Sequence, residues 1–113
     1  MSWILSINPW LTLIVAGLLE VLWAFTMKQS DGFTRPLPTA ITLAAMIASF
    51  WLLSLSMKSL PLGTAYVVWT GIGAVGAFLI GITILSEPIN AGRLAAAGLI
   101  FSGLVLMKVS STG

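Results

Sequence analysis

The sequence predicts an all-α integral membrane protein of four transmembrane helices, and three observations carry that expectation. Hydrophobic residues make up 58% of the chain and charged ones only 7%, where a soluble domain holds about 25% charged residues. The five basic and three acidic side chains punctuate apolar runs, and four of these runs reach the roughly 20 residues that a bilayer-crossing helix needs. The connections between them, "KQSDGFTRPLP", "KSLPL" and "SEPINAGR", each hold Pro or Gly, the residues that break helices.

The spacing places helices at about 10–27, 38–57, 63–85 and 94–110 of a single transmembrane domain, residues 1–113. Pro9 stands just ahead of the first, where a helix tolerates proline. That run is expected to stay in the mature protein: it is long, further spans follow closely, and it lacks the basic start of a signal peptide. Its residues three and four positions from Glu20 include Ala16, Gly17, Trp23 and Ala24, which share a helical face. The second span carries a stripe of Thr42, Met46, Ser49, Leu53 and Ser56, and the third carries Tyr66, Trp69, Thr70 and Gly73. Each stripe has a plain structural reading as well. Hydroxyls in membrane helices bond their own backbone, and aromatics near helix ends mark the interface. In the last span, Lys108 is close enough to the helix end to snorkel to water.

"GIGAVG", residues 71–76, satisfies the G-x-G-x-x-G pattern, but a dinucleotide site needs a strand before it and an acid about 20 residues later. Here the glycines Gly71, Gly73 and Gly76 lie inside an apolar run, where they favour tight helix packing or a bend. The chain has no cysteine and no histidine, so disulfides, thiolate metal sites and Ser-His chemistry lack their parts. No cofactor or enzymatic activity is expected. A net charge of +2 is too small and scattered for a nucleic-acid partner.

One side chain resists a bland reading. Glu20 sits in the middle of the first span, where an ionisable group costs roughly 2.5–3.5 kcal/mol or more and nearly always faces a cavity or a partner. The other charges fall at span ends or in loops. Low dielectric disfavours the charged form of a carboxyl group, so Glu20 is expected to hold either a proton or a cation. One carboxylate offered to both makes loading exclusive, and with alternating access that exclusion suffices for proton-coupled antiport.

Orientation follows the Lys/Arg bias of short loops. Lys28, Arg35 and Arg93 fall on one side, Lys58 and Lys108 on the other, so the bias is small. Either a weak preference fixes one orientation, or the chain inserts both ways and pairs with an inverted copy of itself. Four helices are few to enclose a cavity, and an antiparallel pair would reproduce the inverted repeats of larger transporters.

The residues resemble the small multidrug resistance transporters from Trp10 to about Lys108, through "GLLEVLWAFTMK", "GFTR" and "LPLGTAYVVWTGIG". Trp23-Ala24 after the glutamate is similar to the guanidinium-exporting branch. The resemblance implies an antiparallel, dual-topology homodimer in a bacterial inner membrane that exchanges protons for guanidinium-type cations. It implies that Glu20 is the shared proton and substrate carboxylate and that Trp23 and Ser49 orient it. It further implies that Tyr66 gates and coordinates and that Trp69 walls the cavity. In the last helix, Ala96 and Gly103 hold the spacing of the family's dimerisation glycines, with Gly98 between them; Gly17 and the third-span glycines are expected to serve packing or flexing. Thr26 and Val67 depart from the family pattern. Two alternatives keep the fold, a quaternary ammonium exporter and a heterodimer subunit; a third is a non-transporting proton-relay subunit.

Overall fold

The computed structural model describes residues 8–110. Four helices, α1 (Pro9–Gln29), α2 (Pro36–Ser56), α3 (Leu62–Thr83) and α4 (Ala91–Ser110), follow one another. Each is long and apolar enough to cross a membrane, at about 1.5 Å rise per residue.

The helix ends differ from the sequence expectation by a few residues, for local reasons. α1 starts at Pro9 because the Asn8 side chain accepts a hydrogen bond from Trp10 N at 2.9 Å, satisfying one of the amides a helix start leaves free. α2 starts at Pro36, earlier than the expected 38; Pro36 and Pro38 sit in the first turn, where no intrahelical donor is required. α3 stops at Thr83, short of 85, since Ser86 takes a positive φ of 56° and the chain turns back through Glu87 N donating to Gly81 O at 2.9 Å. α4 starts at Ala91 rather than 94, with the Asn90 side chain accepting from Arg93 N at 2.9 Å.

The α1–α2 connection is a compact turn organised by Ser30. Its fully buried hydroxyl donates to Met27 O at 2.6 Å and accepts from Phe33 N at 3.0 Å. That clasp holds three consecutive residues, Asp31, Gly32 and Phe33, at φ of 50°, 72° and 67°. Gly32 adopts this region freely, whereas Phe33 does so at a cost of about 1–2 kcal/mol.

α1 is the central element, packed between α2 and α3, and α4 rests on α3. The Cα atoms extend over 38 × 36 × 17 Å, a flat arrangement in its thin dimension. The core is small: Leu13, Ala16, Leu53, Ala65, Val68 and Trp69 are among its members. No residue of α4 is buried.

Small residues set how closely the helices approach. A Cβ added at Gly17 would lie 2.6 Å from Ile72 Cγ2, one at Gly76 would collide with Val21, and one at Gly73 with the Glu20 side chain. These three make the α1–α3 seam. Gly71 does the same for α4, where a Cβ would collide with Leu104. α3 is an unbroken helix across its glycines, which here serve close approach. Gly98 and Gly103 face open space.

Hydroxyls tie α1 to α2. Thr26 and Thr42 lie 2.7 Å apart, oxygen to oxygen, in the interior. Each also lies within hydrogen-bond distance of a carbonyl one turn back in its own helix, Leu22 O at 3.1 Å for Thr26 and Pro38 O at 2.8 Å for Thr42, and one of the two hydroxyls gives its proton across the seam. The buried stripe of α2 is Thr42, Ala45, Ser49, Leu53 and Ser56; Met46 is only half-buried.

Candidate functional site

Glu20 is the twelfth residue of α1 and therefore lies about 16 Å from one end of the helix and about 14 Å from the other. The glycine at position 73 lets its side chain lie directly against the α3 backbone. Any other residue there would occupy the place of the carboxylate.

Two polar atoms at this level are buried without a hydrogen-bond partner among the described residues: Glu20 Oε1 and Trp23 Nε1. Every buried polar group left this way costs about 1–3 kcal/mol, and more when charged. An acceptor and a donor three residues apart on one helix face thus both have unused bonding capacity in the middle of the span.

Around them is a run of rings. Phe50 meets Trp23 edge-on, with centroids 6.2 Å apart at 75°, and meets Trp69 at 5.8 Å and 60°. Tyr66 lies 5.6 Å from Trp69. Three helices therefore contribute to one aromatic group. Phe50, from α2, joins the two tryptophans. It escaped the sequence reading because the stripe through Ser49 passes beside it, and an aromatic residue in an apolar run carries no mark of its own.

Ser49 is committed elsewhere than expected. Its hydroxyl donates to Ala16 O at 2.7 Å and accepts from Trp69 Nε1 at 3.0 Å. One buried hydroxyl thus joins α1, α2 and α3 one turn away from Glu20, and it fixes the edge of the Trp69 indole. A serine has a single proton to give, so this arrangement leaves none for the carboxylate.

The expected third-span stripe divides. Trp69 and Gly73 are buried, whereas Tyr66 and Thr70 are exposed on the flank of the chain. α3 packs through Ala65, Val68, Trp69 and Gly73, and the helical repeat turns Tyr66 and Thr70 away from that face. Of the expected site residues, then, Trp23 and Trp69 are joined through Phe50, Glu20 lies against Gly73 about one helical turn from each, Ser49 supports Trp69, and Tyr66 closes the outer edge of the ring cluster. The cluster is open on one flank of the chain, where Phe50 and Tyr66 are exposed.

The remaining charges sit at the helix ends. Arg93 pairs with Glu87 at 3.7 Å, donates to Pro88 O, and lies 5.2 Å over the Phe78 ring. This group joins the α3–α4 connection to the start of α4. With side chains 37% and 40% exposed, the pair contributes little stability.

The chain is similar in sequence to known proteins along nearly its whole length. Residues 8–100 match the family described as Small Multidrug Resistance protein. A protein named "Guanidinium exporter" from Yersinia pestis is 53% identical over 102 residues, covering 90% of this chain and 98% of that protein. Proteins of the same name from Salmonella typhimurium and Escherichia coli (strain K12) are 53% and 54% identical, each over 90% of this chain and 97% of the relative. With four membrane-crossing helices and this degree of identity along nearly its whole length, the chain belongs to the small multidrug resistance family of multi-pass membrane transporters.

Proposed function

We propose that this protein exports guanidinium and small substituted guanidinyl cations across the bacterial inner membrane in exchange for protons, working as an antiparallel homodimer. The observation that carries the reading is the unpartnered Glu20 Oε1, buried at mid-span beside an aromatic cluster. Relatives named for guanidinium export, about half identical in sequence, support the choice of cation.

The chemistry matches. Guanidinium is planar, stays charged as the arginine head group does, and offers paired N–H donors to a carboxylate. A ring face nearby adds cation–π attraction of up to about 2 kcal/mol once water is excluded; Trp23, Trp69 and Tyr66 supply faces. A quaternary ammonium ion has no N–H to offer and would leave the carboxylate oxygen without a donor. When the cation leaves, a proton takes its place on Glu20, and the same exclusion runs in reverse on the other side.

The second wall is what the dimer supplies. Within one chain the ring cluster beside Glu20 is open on the flank where Phe50 and Tyr66 are exposed. An inverted copy would bring a second Glu20 to the same depth, because the residue lies near the centre of its helix. The two carboxylates then repel, so that at least one holds a proton in the absence of cation. The near balance of basic residues, Lys28, Arg35 and Arg93 against Lys58 and Lys108, suits insertion in both orientations.

The test is uptake into liposomes under an imposed pH gradient, comparing guanidinium with tetraethylammonium. Gradient-driven guanidinium movement by the wild type and none by Glu20→Gln is expected. Equal movement by both proteins, or movement indifferent to the gradient, would overturn antiport through Glu20. Reporters at the C-terminus should be found on both faces of the membrane; a one-sided signal would rule out the dual-topology homodimer while leaving the transport reading intact.

A further inference from the structure

We propose that the groove between the start of α1, the first half of α3 and the end of α4 is a binding site for an anionic phospholipid. Its acyl chain would lie along the groove and its phosphate on Lys108. The groove is lined by Ile14, Val68, Ile72, Phe101, Leu104 and Val105, with Trp10 and Lys108 at its rim, and has a volume of about 310 Å³.

Three observations converge there. The lining is apolar, and Ile14, Phe101 and Val105 are exposed, so the groove opens toward the surroundings, which at this depth are lipid. The Lys108 ammonium lies 4.8 Å over the centre of the Trp10 ring, which attracts its charge but accepts no hydrogen bond. No carboxylate among the described residues pairs with it: the ion pair they contain, Arg93–Glu87, belongs to the opposite end of α4. An ammonium has three donors and no acceptor, and it sits two residues before the end of α4 while Trp10 sits one residue after the start of α1. That is headgroup depth, where tryptophan and lysine anchor spans and basic pockets between helices take anionic headgroups.

Charge decides between lipids. Phosphatidylcholine could fill the groove, but its choline cation would be brought toward Lys108. Phosphatidylglycerol or another lipid with net negative charge brings only phosphate and hydroxyl. The site is separate from Glu20 and stands whether or not the proposed transport is correct.

The experiment uses the full chain in phosphatidylcholine vesicles, with brominated phosphatidylglycerol or brominated phosphatidylcholine added in increasing amounts. Quenching of Trp10 fluorescence is obtained as the difference from Trp10→Phe. Association of the anionic lipid should be about five-fold stronger than that of the neutral one, the preference expected of one lysine at a membrane surface. Lys108→Gln should bring the two lipids to parity, Lys108→Arg should keep the preference, and raised salt should weaken it in the unaltered protein. Equal quenching by both lipids in the wild type would overturn the proposal, as would a preference that survives in Lys108→Gln. Absence of quenching by either lipid would also overturn it, assigning the groove to a second copy.

Discussion

Replacing Gly73 by alanine should damage transport through Glu20 without touching any charged group. The added methyl carbon would stand 2.7 Å from Glu20 Cγ and nearer still to the carboxyl carbon and Oε1, whereas carbon atoms pack at about 3.5–4.0 Å. The Glu20 side chain must therefore retreat by about 1 Å, or α1 and α3 must separate. Forcing an extra methyl into a packed seam costs about 1–3 kcal/mol, and a misplacement of about 1 Å at a reacting group costs on the order of 100-fold in rate. Gradient-driven guanidinium uptake at matched protein amounts should fall by about that factor. Gly63→Ala, at a helical glycine with nothing within 4 Å of the new methyl, should leave uptake unchanged. Shortening the acid by one methylene, in the double variant Glu20→Asp with Gly73→Ala, should recover the thermal stability lost in Gly73→Ala, because neighbours in contact couple. Wild-type uptake by Gly73→Ala, or no recovery in the pair, would refute the packing of this carboxylate against α3.

Other expectations are simpler to read. Ser49→Ala removes the acceptor of a buried Trp69 N–H and the donor to Ala16 O, and should lower stability in detergent by about 1–3 kcal/mol, measured by thermal unfolding. Thr26→Val breaks the contact with Thr42 and should cost about 0.6 kcal/mol and at most about 1.7 kcal/mol, the range for hydrogen bonds between membrane helices. Guanidinium binding should weaken as pH falls, since proton and cation claim one carboxylate. In the acidic limit the dissociation constant should rise about tenfold per pH unit for one competing proton, and titration calorimetry at several pH values would show it.

The spans could be read from composition because a bilayer imposes length and hydropathy on every helix that crosses it. Glu20 could be read for the same reason, as a residue whose cost demands a purpose. What escaped depends on which face of a helix meets its neighbour. Nothing in the order of letters says that Ser49 gives its proton to Ala16, or that Tyr66 points outward while Trp69, three residues on, points inward. Phe50 has the same opacity, being one of several large apolar residues in α2. The helix starts were misjudged by up to three residues because prolines and asparagine side chains extend helices past the point where hydropathy falls off. Glycine was the ambiguous case: the pattern in α3 allowed either bending or close approach, and the contacts with Glu20, Val21 and Leu104 show what three of those residues are for.

A fourth helix without an interior has a consequence for how the protein persists in a cell. Its attachment within one chain is a contact with α3 and the Lys108 ammonium over Trp10 of α1, so much of what steadies it must come from whatever else it meets in the bilayer. Association that completes a fold makes apparent stability depend on concentration. In the proposed homodimer, α4 is therefore where loosening and degradation would begin at low expression, and abundance would rise more steeply than synthesis.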